Sequence, residues 1–351
     1  MSNPILTRAI DALASRQDLS TDQTAEVLGE IMRGDVSEIQ IAGFLIALRT
    51  KGETVSELAG LARTMCALAD HVPTERDDLI DTAGTGGGTS TFNVSTTAAL
   101  IAAGAGCAVA KHGNRSATSR SGSADLLEAL GARIDLPPAA VASCIREAGF
   151  GFMFAPAHHQ ATRFVVPVRH ELAVRTIFNL LGPLTNPAGA RRQLIGVSDA
   201  RFLETIAGAL ALLGVDRALV VSGEDGLDEI SARAPTAVIE VNRQELTRYT
   251  LQPADVGIHA TDADVHGGTP EENAAVTRAI LTGGPPTADS PAGTNLAVIN
   301  AGAAIYIAGR AQSIADGVLA AREAIADGSA ADSLERYIRA SNAHAPDAVA
   351  S

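Results

Sequence analysis

The sequence predicts an α/β protein with a small N-terminal helical domain and a larger domain built on a central, mainly parallel sheet flanked by helices. Three observations carry that prediction. Residues 3–69 read as consecutive short helices with no strand among them. Beyond the polar linker Asp70–Asp78, which contains Pro73, short apolar strand candidates alternate with helical segments and are joined by Gly-rich loops, the pattern of a parallel sheet with crossover helices. The composition is 46% hydrophobic but only 3% aromatic, with no Trp, which favours close-packed Ala- and Gly-rich helices over an aromatic-rich barrel. At 351 residues the chain can bury a substantial core in one large domain plus a small one.

In the first part, Ile5, Ile10 and Leu13 form one apolar stripe. Ser20 with Gln23 makes a capping-box start for a helix carrying Val27, Leu28 and Ile31, which stops at Gly34-Asp35. Ser37 opens a third helix, with Ile39, Ala42, Leu45 and Ile46 as its expected inward face and Phe44 at the edge of it. Thr54 with Glu57 opens a fourth, running to about Leu68. Four such helices make a small bundle whose remaining apolar surface is expected to meet a partner.

In the second part, Leu79–Asp81 is a strand entering a glycine turn. Ser95–Ala105 is a buried helix and Cys107–Ala110 a buried strand ending at Lys111. Helices follow from Gly122 to Gly131 and over Pro138–Ala148, then a strand at Phe152–Phe154. Gln193–Val197, Ala218–Val221 and Ala237–Val241 are strands, and Ala200–Leu213 is a helix closed by Gly214. Asp255–Gly268 reads as loop, and helices are expected over Pro270–Thr282, Thr294–Ala308, Ser313–Ala326 and, as a last short one, Ser333–Ala340.

Charge and cysteine usage narrow the function classes. With 40 acidic against 27 basic residues the formal charge is −13. That disfavours broad nucleic-acid binding, which needs a cationic surface, but permits a local basic pocket. Cys66, Cys107 and Cys144 have no metal-ligand spacing and fit a reducing compartment. The N-terminal stretch meets charge within a few residues, and the longest uncharged run, Thr85–Ala110, is interrupted by glycines, Asn93 and hydroxyl residues. No membrane segment is predicted, and the expected location is cytoplasmic.

The residues of potential chemical use concentrate in Asp81–Ala124. Gly84–Gly88 follows a strand and, with Asn93, Ser95 and Thr96, leads into a helix. Glycines let backbone N–H groups converge on phosphate oxygens, and helix N-termini attract anions. Lys111-His112-Gly113-Asn114-Arg115 adds a compact cationic loop, with Ser119, Arg120 and Ser123 as further donors. His158–Arg175 gathers His158, His159, Arg163, Arg169, His170 and Arg175. Asp228 and Glu229, with Asp225 nearby, offer hard oxygens of the kind that suit Mg²⁺ beside a phosphate. Segments 84–96, 111–123, 155–175 and 222–229 all fall at the carboxyl ends of predicted strands, where ligands of parallel sheets bind.

Those motifs, in that order, resemble the anthranilate phosphoribosyltransferase family over essentially the full chain. GTGGG at Gly84–Gly88, NVST at Asn93–Thr96, KHGNR at Lys111–Arg115, SRSGSAD at Ser119–Asp125, VRHEL at Val168–Leu172, RTIFNLLGPLTNP at Arg175–Pro187 and GLDE at Gly226–Glu229 carry it. So does QIAGFLIALRTKGET at Gln40–Thr54. The resemblance implies a helical domain over 1–70 joined by a helical segment at about 166–182, and a donor-binding α/β domain over 71–165 and 183–345. It implies a homodimer formed through the helical part, no nucleic-acid or membrane partner, and transfer of a phosphoribosyl group from phosphoribosyl pyrophosphate to anthranilate. Donor-binding residues would be Gly84, Gly86, Gly87, Thr91, Asn93, Ser95, Thr96, Lys111 and Ser119, with Lys111 stabilising the leaving group and no acid or base assigned. Gly84, His112, Asn114 and Arg169 would hold anthranilate, and Ser95, Asp228 and Glu229 would serve two Mg²⁺ ions.

The chain departs from the family pattern at four places. The Asp that ends GTGGD is absent and the interval to Asn93 is one residue short. His159-Gln160 stands for His-Pro, Ala173 for a common glycine, and Ser222 for a frequent histidine. A related transferase or nucleoside phosphorylase with another acceptor would bind the donor without consuming anthranilate. A ligand sensor would bind without turnover, and a non-catalytic nucleic-acid-binding relative would show a salt-dependent affinity for DNA or RNA.

Overall fold

The computed structural model describes residues 2–116, 119–259, 265–284 and 290–345. Four helices open the chain: α1 (Pro4–Ala14), α2 (Thr21–Arg33), α3 (Glu38–Lys51) and α4 (Val55–Ala67). The capping boxes expected at Ser20/Gln23 and Thr54/Glu57 are both formed. Glu57 does more than cap. Fully buried, its carboxylate also accepts from the Leu19 N–H at 2.9 Å and from Lys51 Nζ at 3.0 Å, which locks the turn between α1 and α2 to α4.

The inward face of α3 differs from the expectation. Ile41, Phe44, Leu45 and Leu48 are buried, whereas Ile39 is 84% and Ile46 37% exposed. Both sides of this helix are apolar, so periodicity alone cannot choose between them. Packing does, and it leaves an isoleucine pair on the outer surface.

The larger part alternates strands and helices: β1 (Leu79–Gly84), α5 (Val94–Gly104), β2 (Ala108–Gly113), α6 (Ser123–Ala129), α7 (Pro138–Ala148) and β3 (Phe150–Phe154). Short helices α8 (Ala155–His158), α9 (Val166–Leu172) and α10 (Phe178–Leu181) follow. Then come β4 (Arg192–Gly196), α11 (Leu203–Leu213), β5 (Arg217–Gly223), β6 (Thr236–Asn242), β7 (Glu245–Leu251), α12 (Pro270–Leu281), α13 (Ser290–Ile307), α14 (Ile314–Ala326) and α15 (Ser329–His344). The sheet runs β3-β2-β1-β4-β5-β6-β7, with the first five strands parallel and β6 and β7 antiparallel.

Several elements depart from the sequence reading: β1, β3 and α13 are longer than expected, and three further differences bear on the site or the fold. β2 continues through His112 to Gly113, so Lys111 and His112 lie within a strand rather than after one. β7 has no counterpart among the expected strands. It is an exposed edge strand whose only buried residue is Leu251, so no apolar run marks it. The last helix has 16 residues, because Ala330, Leu334, Tyr337 and Ala340 sustain one apolar stripe along it. Residues 260–264 of the expected 255–268 loop lie outside the described residues.

Both faces of the sheet are buried, which explains the continuous apolar strand β5. Leu219 and Val221 face the core with α5, α7, α13, α14 and α15, while Ala218 and Val220 face α11 and α4 on the other side. That second core also contains Val165, Val168, Ile177, Phe178 and Leu181 of the 165–184 segment, packed with the helical bundle. Strand order reverses at β1 and β4, so the loops after them part and leave a crevice at their carboxyl ends.

Candidate active site

That crevice is a cleft of about 1430 Å³. It gathers the four segments expected from the sequence, adds 178–185 and 266–267, and receives Met65 from the bundle. Gly84, Gly86, Gly87, Thr91, Asn93, Ser95, Lys111, His112, Asn114, Ser119, Arg169, Asp228 and Glu229 all line it. Thr96 does not. It is fully buried in the first turn of α5, and its hydroxyl has no partner. Ala117 and Thr118 of the 111–123 segment lie outside the described residues.

At one end, the glycine turn wraps the Asp228 carboxylate. The Gly86 N–H donates to Asp228 Oδ2 at 3.0 Å. A Cβ at Gly84 would stand 2.9 Å from Asp228 Oδ2, and one at Gly88 2.8 Å from the Gly226 carbonyl and 3.0 Å from Asp228 Oδ1. The shortened loop therefore has no room for a side chain at Gly88, the residue just beyond the lost Asp. Gly86 and Gly87 take left-handed backbone, φ 64° and 81°, as glycine readily does.

Arg175 clasps this loop from outside, donating to the carbonyls of Gly86 (3.0 Å) and Thr85 (3.4 Å), and Ser198 Oγ donates to the Gly86 carbonyl at 2.8 Å. The sequence places Arg175 in a cation cluster and at the head of a motif, but does not show this role. Its carbonyl partners are 89 and 90 positions away and leave no sequence signal. Ser198 has no sequence signal at all.

Asn93 precedes α5 without capping it. Its side chain instead bonds Ser121 and Asn273. Behind the α5 N-terminus Lys111 is buried, and Nζ donates to the Thr82 carbonyl and, at 3.3 Å each, to Thr82 Oγ1 and Ser95 Oγ. Burial pulls its pKa down, and the Asp81 and Glu229 charges act against that. Glu229 is pushed up to about 8, first by burial and then by the neighbouring Asp228. Lys111 and the Ser95 N–H draw it back. Asp228 is raised by burial as well. Lys111 and Arg175 act on this carboxylate pair through their charge.

Asp81 supports the same floor from beneath. Oδ1 accepts the His112 N–H at 3.1 Å and Oδ2 accepts Asn186 Nδ2 at 2.8 Å, tying β2 to the 182–187 turn. Burial lifts its pKa to about 6.

At the other end, His112 Nδ1 donates to the Gly182 carbonyl at 3.1 Å, which leaves Nε2 as a buried lone pair without a donor. The ring meets His159 edge-on at 5.1 Å, and His159 Nε2 donates to the Thr185 carbonyl at 3.0 Å. Burial pushes the two imidazoles down to about 3 and about 4, helped at His112 by His159 and at His159 by His158, so both are neutral at pH 7. Gln160, in place of the family's proline, donates to Asp70 Oδ2 at 3.0 Å and secures this segment to the linker.

Arg169 lies half-buried above Phe178, 5.4 Å from the ring centroid. Burial lowers its pKa, and no carboxylate among the described residues pairs with it. Arg115, by contrast, turns away to Asp125 (2.7 Å) and Glu128 (2.5 Å), so the last cation of KHGNR stabilises its own loop.

A helical bundle joined to a mainly parallel-sheet domain, with a glycine turn and a carboxylate pair at the strand switch, is the build of a two-domain glycosyl transferase. Residues 7–69 match the model of the glycosyl transferase family helical bundle domain, and residues 76–331 match that of its a/b domain. The anthranilate phosphoribosyltransferase of Rubrobacter xylanophilus is 49% identical over 96% of this chain and 98% of its own, and that of Moorella thermoacetica is 47% identical over 95% and 98%. The Thermus thermophilus enzyme superposes with a TM-score of 0.88 at 45% identity, covering 95% of this chain and 99% of that one. The Saccharomyces cerevisiae enzyme, solved in complex with PRPP and Mg, gives 0.86 at 28% identity, covering 97% and 99%. The chain belongs to the anthranilate phosphoribosyltransferase family.

Proposed function

We propose that this chain transfers the 5-phosphoribosyl group of phosphoribosyl pyrophosphate to the amine of anthranilate, giving N-(5-phosphoribosyl)anthranilate and pyrophosphate, a step of tryptophan biosynthesis. One observation carries the reading. A single cleft presents an uncapped helix N-terminus beside a glycine turn at one end, and an unpaired guanidinium beside neutral imidazoles at the other.

The donor's diphosphate and 5-phosphate would take the turn and the α5 N-terminus, through Gly84, Gly86, Gly87, Thr91, Asn93, Ser95 and Ser119, with Thr96 buried behind them. Lys111 contributes charge from beneath. Arg169 would pair with the anthranilate carboxylate, with Gly84, His112 and Asn114 lining the ring's place. As the C1–O bond to diphosphate breaks, positive charge develops on the ribose. The anthranilate nitrogen, held at C1, forms the new bond and then releases its proton. Orientation supplies much of the acceleration, and an aromatic amine needs no strong side-chain base.

The Ser95, Asp228 and Glu229 oxygens fit magnesium. They are hard donors, and burial raises the two carboxylates more than Arg175 and Lys111 lower them. Among the described residues no cluster of three or more His, Cys, Asp or Glu converges. The remaining ligands would then come from water and diphosphate, as Mg²⁺ prefers. Bound magnesium supplies positive charge to the departing diphosphate.

Assembly as a homodimer through the helical domain is supported by exposed Ile39 and Ile46. A domain division at 70, with 166–182 joining the bundle, is supported by the shared core of those segments. No helix among the described residues is long and apolar enough to cross a membrane, in keeping with a cytoplasmic enzyme. A purified-protein assay with both substrates, following anthranilate loss and pyrophosphate release across Mg²⁺ concentration, tests the reading. Turnover that needs all three components is expected. Donor binding with no anthranilate consumption would transfer the chain to another acceptor.

A further inference from the structure

Gly86, Gly87 and Gly88 stand in a row, so nothing local fixes which way the peptides of this turn face. A peptide between two glycines can turn over at little steric cost, because neither side carries a Cβ. In a trans peptide the carbonyl of one residue and the N–H of the next point in opposite directions. Each peptide of the turn therefore offers an anion either a donor or a repelling oxygen.

Two side chains from other segments make that choice. The Gly86 carbonyl accepts Ser198 Oγ at 2.8 Å and Arg175 Nη2 at 3.0 Å, and the Thr85 carbonyl accepts the same Nη2 at 3.4 Å. Both carbonyls meet one nitrogen, so the two peptides are oriented alike and their N–H groups share the opposite side. That of Gly86 reaches Asp228 Oδ2 in the cleft at 3.0 Å. That of Gly87 has no acceptor among the described residues, and Gly87 is exposed in the cleft wall. Arg175 lies so close that a Cβ at Gly87 would collide with its guanidinium. Ser198 is fixed in turn, its N–H donating to Thr85 Oγ1 at 3.2 Å, and the Thr85 N–H donates to the Gly196 carbonyl at the end of β4 at 2.8 Å.

We infer that Arg175 and Ser198 are positioning residues that hold the Gly86 carbonyl away from the donor and so keep the Gly87 N–H turned toward its phosphate oxygens. The inference rests on the donor site of the proposed function. With both tethers gone, the Gly86–Gly87 peptide samples its flipped orientation, in which a carbonyl dipole meets the phosphate and the N–H is lost to it. Either tether alone still holds the Gly86 carbonyl, so the two act as a pair. Ser198 does so without lining the cleft.

The test is calorimetric titration of phosphoribosyl pyrophosphate with Mg²⁺ into wild type, Arg175→Met, Ser198→Ala and the Arg175→Met/Ser198→Ala pair, alongside steady-state kinetics. Methionine keeps much of the arginine stem and removes its donors. Loss of both tethers should raise the donor Kd and KM about ten-fold. The anthranilate KM should hold, and so should kcat at saturating donor, because bound donor returns the peptide to its place. Ser198→Ala should weaken donor binding about three-fold in the Arg175→Met background and less in wild type, where Arg175 still holds the carbonyl. The Arg175→Ala/Ser198→Ala pair serves if the methionine pair does not fold. A donor Kd in the folded pair that matches wild type overturns the inference. So does a Ser198→Ala change without effect in the Arg175→Met background, because the loss would then come from direct contact of the guanidinium with the diphosphate. A wild type that binds no donor would overturn the donor-site assignment instead, which keeps the two failures distinct.

Discussion

At the scale of single residues, the site is governed by groups left without a partner. Arg169 is half-buried, cationic and unopposed by any carboxylate among the described residues, so a charge-assisted bond to an acid is its natural completion. Losing such a bond costs about 1.5–3 kcal/mol. Arg169→Ala should therefore raise the anthranilate KM by about 10- to 100-fold while donor affinity holds. A parallel loss of donor binding would show that Arg169 serves the other end of the cleft. The two buried imidazoles make a second prediction. His112 and His159 lie near 3 and 4 when folded, against an ordinary 6.5. Below about 6.5 the unfolded chain takes up protons that the native state refuses, so stability present at neutral pH is lost as pH falls toward 4. Each histidine contributes up to roughly 1.4 kcal/mol per pH unit across that window. Thermal melts from pH 7 to 4.5 should show this slope, and His112→Asn should flatten it. An unchanged slope in that variant would mean that the imidazole titrates freely.

At the scale of elements, two sequence departures acquire physical consequences. Ala173 ends α9 in left-handed backbone, φ 51° and ψ 27°, at a position where glycine is common in the family. A Cβ is strained there by about 1–2 kcal/mol, partly offset by the entropy a glycine loses on folding. Ala173→Gly is expected to stabilise the protein by up to about 1 kcal/mol, measured as a higher denaturant midpoint, and a lower midpoint would refute the strain. The shortened glycine turn is the other. Gly88 packs on Gly226 and Asp228, so the deleted residue and the missing Asp amount to one change of shape. Helix starts are legible wherever Ser or Thr meets a Gln or Glu three positions on. β7 is not, because an edge strand with one buried residue carries no apolar signature.

At the scale of the whole molecule, the bundle and the sheet share a core through the 165–184 segment, so the end of the cleft that holds Arg169 is built partly from residues that pack with the helical part. The outer face of α3 leaves Ile39 and Ile46 in solvent. Burying an isoleucine is worth about 1.5–3 kcal/mol, and a two-fold contact would bury each twice. An Ile39→Asp/Ile46→Asp variant should sediment as a monomer where the parent sediments as a dimer. A parent that is monomeric at micromolar concentration would remove the homodimer from the proposal.

Local sequence was enough for the two-part architecture, the order of the motifs and the four segments that supply most of the cleft lining. Those depend on local periodicity, capping pairs and glycine placement, which neighbouring residues specify. Only the tertiary structure decided which side of α3 turns inward, that Arg115 serves its own loop, and that Arg175 and Ser198 clasp the glycine turn. It also decided that Asn93, a capping residue by type, is drawn away from its helix by Asn273, 180 positions further on. Each of these outcomes is a choice between partners of similar local merit. Burial and hydrogen-bond completion settle it only once distant segments have met.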